Sequence, residues 1–163
     1  MAAFKFDALE LPHTRARIAL CPCPGQSGQL TKDLNRLRDW GAKDLVTLIE
    51  DHEFVLLGVT SLVTQVEAAG MRWWHLPIRD MGVPDAGFEA RWRTAGSELG
   101  KLLADGCSIA VHCRGGKGRT GTVAARLLIE LGMAPMRAIE HVRAARPGSI
   151  ETKEQELFLL GCR

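Results

Sequence analysis

The stretch Ser108-Ile109-Ala110-Val111-His112-Cys113-Arg114-Gly115-Gly116-Lys117-Gly118-Arg119-Thr120-Gly121 decides the reading of this 163-residue chain. Its first four residues form a short apolar run of the kind that makes a buried strand. Past the glycines, residues 119–131 carry a helical pattern. Three glycines, three cations and one cysteine share the seven positions between Cys113 and Arg119. A cysteine therefore ends a buried strand, a glycine-rich turn follows, and an arginine stands at the mouth of a helix. Backbone N–H groups of such a turn converge on one point, to which the helix N-terminus adds partial positive charge. That point suits an anion, with a thiolate beneath it.

Working outward, residues 17–20 are an apolar run, expected as the first strand, closed by Pro22 and Pro24. Leu30, Leu34 and Leu37 fall on one face of a helix that Gly41 stops. Residues 44–50 are expected as a buried strand and 53–57 as a single helical turn. Residues 61–69 are expected as a helix stopped by Gly70, and 72–78 as a third strand ended by Pro77. A polar loop over 79–87 follows. Phe88, Trp92, Ala95, Leu99 and Leu102 then keep helical spacing up to Gly106. The order helix, glycine, strand recurs at Gly41, Gly70 and Gly106, each glycine suiting a left-handed helix stop. Beyond the central turn the pattern is helical: Pro135 opens one helix with Ile139 and Val142 inward, and Thr152-Lys153-Glu154-Gln155 fits a capping box for a last one. Strands alternating with helices predict an α/β fold, a central and mostly parallel sheet flanked by helices, as a single domain over 1–163. In such sheets ligands sit at the carboxyl ends of strands, where Cys113 and the 79–87 loop meet across one cleft.

Composition narrows the partners. A formal net charge of +2 gives no polyanion-binding signature, so nucleic acid is not expected, and a preference for acidic substrates must come from local charge. No apolar stretch reaches the ~18 residues of a membrane span, so no stable membrane insertion is expected. Residues 1–7 lack a basic region followed by a long apolar segment, so no secretory leader is expected and a cytoplasmic location follows by default. Five cysteines, an odd number, argue against a disulfide framework. Cys21-Pro22-Cys23 has the wrong spacing for a redox pair or a zinc knuckle, and buried free cysteine is a common small hydrophobe.

Transfer of a phosphoryl group to a cysteine needs a thiolate, donors for three equatorial oxygens, a proton for the leaving oxygen and a base for water. A free thiol has a pKa of ~8.5, which a helix N-terminus and nearby cations lower. Gly115, Gly116 and Gly118 let the backbone approach a ligand closely. Arg114, Lys117 and Arg119 supply charge, and Arg119 adds a bidentate fork for phosphate. The hydroxyl of Thr120 is placed to donate to the sulfur. A merely structural turn has no reason to gather cations at a helix N-terminus, where they oppose the dipole. A nucleotide-binding loop does not fit, because Lys117 is followed by Gly118 and not by Ser or Thr.

His112-Cys113, five residues, then Arg119-Thr120 resembles the Cys-x5-Arg signature of protein tyrosine and dual-specificity phosphatases. His75-Leu76-Pro77-Ile78-Arg79-Asp80 through Pro84-Asp85, and Arg146-Pro147-Gly148-Ser149-Ile150, resemble the kinase-associated phosphatase and its bacterial relatives. The resemblance implies the compact dual-specificity fold and a two-step mechanism through a phosphocysteine, with no metal or other cofactor. It implies Cys113 as nucleophile, Arg119 as phosphate clamp and His112 as a brace for the turn that tunes the thiolate. Phosphate would be bound by residues 114–119. For the general acid, the residues alone do not choose between Asp80 and Asp85; the resemblance implies Asp80, which follows the Pro-Ile-x run. After Ile150 the family carries a polar residue that helps place water, for which Glu151, Thr152 and Gln155 are candidates, with helix capping as the alternative for Thr152 and Gln155.

The expected substrate is a phosphorylated protein, as phosphotyrosine with phosphoserine or phosphothreonine admitted by a shallow cleft. Arg114 and Lys117 keep a second reading open, a phosphoinositide or other small-molecule phosphatase. A third, an inactive phosphate-binding module, is disfavoured because nucleophile, clamp and acid are all present.

Overall fold

The computed structural model describes residues 3–163. Met1 and Ala2, which open both the expected domain and the amino-terminal stretch read for a leader, lie outside them. The elements run β1 (Asp7–Glu10), β2 (Arg17–Cys21), α1 (Leu30–Trp40), β3 (Ala42–Thr47), α2 (Asp51–Leu56), α3 (Leu62–Ala68), β4 (Arg72–His75), α4 (Ala86–Ala104), β5 (Ser108–His112), α5 (Gly118–Glu130), α6 (Pro135–Ala145) and α7 (Lys153–Leu160).

The sheet has the order β1-β2-β5-β3-β4. Every pairing is parallel except β1 with β2. The mostly parallel sheet expected from the sequence is present, with one antiparallel edge that the sequence reading missed. In the four residues of β1 only Leu9 is buried, so no alternation betrays the strand. Strand β5 sits at the centre, where Cys21 of β2 and Thr47 of β3 both stand level with His112.

Alternation along the strands divides the core in two. Ile109, Val111 and Cys113 face a layer that includes Phe88, Trp92 and Leu99 of α4, Val123 and Leu127 of α5, Ile139 of α6 and Leu159 of α7. Ala110, Ala19 and Leu45 face Leu34 and Leu37 of α1 and Leu62 and Val66 of α3. Leu103 of α4 takes the core position expected of Leu102, which is half-buried. Gly41, Gly70 and Gly106 all have positive φ, as the helix–glycine–strand reading requires.

Strand β3 runs over Ala42–Thr47 where 44–50 was expected and α2 over Asp51–Leu56 where 53–57 was expected, and two further boundary shifts matter for the site. Strand β4 ends at His75, yet the chain stays attached to the sheet: Leu76 N–H donates to Thr47 O at 2.9 Å and Ile78 N–H to Leu48 O at 2.9 Å. Pro77, between them, has no N–H to give. The polar loop ends sooner than expected, because the Asp85 carboxylate accepts the Phe88 N–H at 2.8 Å and starts α4 at Ala86, so Gly87 is helical. Among the described residues no helix is long and apolar enough to cross a membrane.

Candidate active site

The turn between β5 and α5 is built by fixing its carbonyls. His112 O accepts from Leu48 N at 3.0 Å, and Arg114 O from Cys23 N at 3.0 Å and Gln26 Nε2 at 2.6 Å. Cys113 O accepts from His112 Nδ1 at 2.9 Å. One guanidinium holds the next two: Arg146 Nη2 reaches Gly115 O at 3.2 Å and Nε reaches Gly116 O at 2.7 Å. Lys117 O accepts from Ile150 N at 3.1 Å and Gly121 N at 2.9 Å, and Gly118 O from Thr122 Oγ1 at 2.7 Å. Every carbonyl from His112 to Gly118 is therefore held outward. In a trans peptide the N–H points opposite its carbonyl, so the amides that follow turn toward the concave side. There they join the free first-turn N–H groups of α5.

Gly116 is the residue that this curl cannot replace. Its φ is +75°, and a Cβ added there would lie 2.3 Å from the carbonyl carbon of Cys21. Its N–H points at Cys113 Sγ, 3.3 Å away. Cys113 is buried at the bottom of the turn.

Arg119 is buried and directed by Glu53 of α2. Nη1 and Nη2 donate to Glu53 Oε2 and Oε1 at 2.8 and 3.0 Å, and Nη1 also donates to Ile78 O at 3.0 Å. A guanidinium has a second edge, Nε with the outer Nη2 hydrogen. That edge makes no hydrogen bond to protein among the described residues. Asp80 stands beside it, 3.1 Å from Nη2, with its side chain 56% exposed. For Glu53, burial pushes the carboxyl up, but the Arg119 guanidinium and the Glu50 N–H outweigh it and hold it below the ordinary carboxylate range.

His112 is fully buried. Burial above all, with the charge of Arg119, pushes it down to about 4 against its bond to Cys113 O, so the ring is neutral near pH 7. It braces the turn as expected, through the Cys113 carbonyl.

The structure thus brings His112, Cys113, residues 114–118, Arg119 and Asp80 together at the carboxyl ends of the strands. Asp85 is occupied as the cap of α4. One expected contact is not made. Thr120 Oγ1 is buried without a hydrogen-bond partner among the described residues, and Cys113 Sγ takes the Gly116 N–H instead. Arg114 and Lys117 are exposed, with no carboxylate within ion-pair distance among the described residues. Any phosphate contact within the turn falls to their backbone N–H groups and to Arg119. Of the three polar candidates after Ile150, Thr152 and Gln155 form the capping box of α7. Gln155 Nε2 also donates to Gly82 O at 3.0 Å, tying the loop that carries Asp80 to α7. Glu151 reaches the turn: its Oε1 lies 2.8 Å from where a Cβ on Gly118 would be.

Sequence reading missed Glu53 and Arg146 as parts of the site. Glu53 sits in the expected helical turn, and a Glu50-x-x-Glu53 capping box was there to be read, with Glu53 Oε2 accepting Glu50 N–H at 2.7 Å. Nothing in the local pattern pairs it with Arg119. Cys21 and Cys23 are buried, and burial first of all raises both thiols, Cys23 to about 12, which disfavours their thiolate forms.

Residues 23–159 match the family model described as PTP-SAK, Swiss Army Knife protein, DSP-PTPase phosphatase domain. The cyclin-dependent kinase inhibitor 3 of Rattus norvegicus is 31% identical over 150 residues, covering 87% of this chain and 69% of that protein. A crystal structure of kinase associated phosphatase, carrying serine in place of its catalytic-site cysteine, superposes with a TM-score of 0.86 at 28% identity, covering 98% of this chain and 93% of that one. A structure of PTPMT1 in complex with PI(5)P superposes with a TM-score of 0.72 at 25% identity, covering 90% and 88%.

Proposed function

Because the chain belongs to the dual-specificity/protein tyrosine phosphatase family, we propose that it hydrolyses phosphate monoesters of proteins by two displacements at Cys113. In the first, Cys113 Sγ attacks phosphorus in line with the leaving oxygen. An S–P bond forms, the P–O bond breaks, and Asp80 gives its proton to the departing oxygen. In the second, water attacks phosphorus, Asp80 takes its proton, and the S–P bond breaks to return the thiolate. The inward N–H groups of the turn hold equatorial oxygens through both steps, and the Nε/Nη2 edge of Arg119 holds two of them. Negative charge on these oxygens is thereby met by donors already fixed before the reaction.

The observation that supports this reading is the fixing of every carbonyl from His112 to Gly118 by a hydrogen bond, above a buried cysteine. Hydrolysis of p-nitrophenyl phosphate should proceed in EDTA, with a burst of nitrophenol, and be abolished by Cys113→Ser. No hydrolysis by folded protein between pH 5 and 7 would leave a phosphate-binding module as the surviving description.

One observation favours a second reading, a phosphoinositide or other small-molecule phosphatase. Arg114 and Lys117 stand exposed at the rim without carboxylate partners, and PTPMT1, similar to this chain, has been solved with PI(5)P. A panel of phosphopeptides and inositol phospholipids decides between them. Higher kcat/KM on phosphopeptides supports the protein substrate, and higher kcat/KM on the lipids replaces it.

A further inference from the structure

Behind the turn, on the side of the sheet away from Cys113, a line of side chains leads from β4 through β3 to β5. Trp73 Nε1 lies 2.8 Å from Thr47 Oγ1, Thr47 Oγ1 lies 2.8 Å from His112 Nε2, and His112 Nδ1 lies 2.9 Å from Cys113 O. With the buried His112 ring neutral, only one placement of protons gives all three contacts a donor and an acceptor. An indole N–H only donates, so Thr47 Oγ1 accepts from it. A carbonyl only accepts, so His112 Nδ1 carries the proton facing Cys113 O. A neutral imidazole has one N–H, so Nε2 is the acceptor and the Thr47 hydroxyl donates to it.

We propose that Trp73 and Thr47 are positioning residues of the phosphate-binding turn: they fix His112 as the Nδ1–H tautomer and through it hold the Cys113 carbonyl away from the cleft. The proposal rests on the reading of the turn as a phosphate cradle. The Cys113 carbonyl is the vulnerable one. Its neighbours are held by Cys23, Gln26 and Arg146, whereas the His112 ring is its one partner among the described residues. In the other tautomer two lone pairs would face each other at 2.9 Å, and the carbonyl would turn. Because the peptide is trans, that rotation would swing the Arg114 N–H out of the cradle. The indole itself is held in place. It stacks on His75 with centroids 5.2 Å apart, and Phe54 meets it edge-on at 6.4 Å.

Thr47→Val and Thr47→Ser separate a relay from mere packing. Valine keeps the shape of threonine and loses the hydroxyl, while serine keeps the hydroxyl and loses a methyl. For the relay, kcat/KM on p-nitrophenyl phosphate falls about tenfold in Thr47→Val, the scale of one lost hydrogen bond, and stays within about twofold of the parent in Thr47→Ser. Trp73→Phe falls in the same direction by a smaller factor. The 15N spectrum of the His112 ring, assigned by its loss in His112→Gln, should report a single neutral Nδ1–H form in the parent and in Thr47→Ser. In Thr47→Val the Nε2 resonance should move. An Nε2–H ring in the parent overturns the proposal, as does Thr47→Val matching the parent or outperforming Thr47→Ser. If the parent hydrolyses nothing, the phosphatase reading fails, and the tautomer spectra still decide the relay.

Discussion

Arg119 shows how one side chain serves both stability and chemistry. Its end-on edge is taken by a buried carboxylate, Glu53, while Asp80 stands 3.1 Å from Nη2, and under the proposed function the side-on edge takes an oxyanion. The two uses are linked, because the first fixes the plane in which the second is presented. Removing Glu53 leaves a guanidinium buried without its counter-charge, a change that costs about 3–5 kcal/mol in comparable pairs. Glu53→Ala should lower the urea midpoint by a corresponding amount and reduce kcat/KM, and an unchanged midpoint would show that Arg119 does not depend on it. The two loop aspartates also differ at this scale. Asp80→Asn should cost about 10²–10⁴ in kcat on substrates with poor leaving groups. Asp85→Asn should change little, since asparagine caps a helix as well as aspartate does. Equal losses, or a larger one from Asp85, reverse the assignment. The cysteine and the arginine were legible in the sequence, because their spacing within one turn is a local property, and the histidine only through the family resemblance. Glu53 was not, because 66 residues separate it from Arg119.

At the scale of elements, the β5–α5 turn is curled by what surrounds it. Cys23 and Gln26 after β2, Arg146 after α6 and Ile150 before α7 each hold a carbonyl of the turn. The glycines permit the curl, and these partners select it. Gly116→Ala tests the closest approach. A Cβ at that position collides with the backbone of residue 21, so the turn must shift. Activity should fall by about a hundredfold or more, the cost of an ångström-scale misplacement of reacting groups, while the circular dichroism of the folded protein persists. An active Gly116→Ala would mean that the turn has slack that the close contact denies. The same scale explains what the sequence reading lost at β1. A short edge strand with one buried residue carries no periodic signal, and its place is set by pairing with β2.

For the molecule as a whole, the site is a liability in acid. Burial pushes His112 down to about 4 in the fold, so it stays neutral above that value, whereas an unfolded histidine binds a proton below ~6.5. Between those values the unfolded chain holds more protons than the native one, so stability falls as pH drops from 6.5 toward 4, by ~3 kcal/mol in full. The lowered Glu53 acts in the same direction further down, its stabilisation being lost as pH falls through its folded value. Urea midpoints measured from pH 7 to 4 should decline across the first window, and His112→Gln should flatten that part of the curve. A flat profile in the unmodified protein would mean that the ring charges without penalty.

By itself the sequence determined the alternation of strands and helices, the glycine stops, and the glycine-rich strand–turn–helix that holds Cys113 and Arg119, the proposed nucleophile and clamp. Each of these is written in residues close along the chain, where periodicity and spacing report backbone geometry directly. Tertiary structure decided what the residues alone left open: the antiparallel edge, Glu53 as the partner of Arg119, Asp80 beside Arg119 with Asp85 at a cap, and Thr120 without a bond to the sulfur among the described residues. The parallel sheet is the physical reason. It sets the ends of β2, β3 and β5 side by side, so that residues far apart in sequence converge on His112 and Cys113 through contacts that no local pattern encodes.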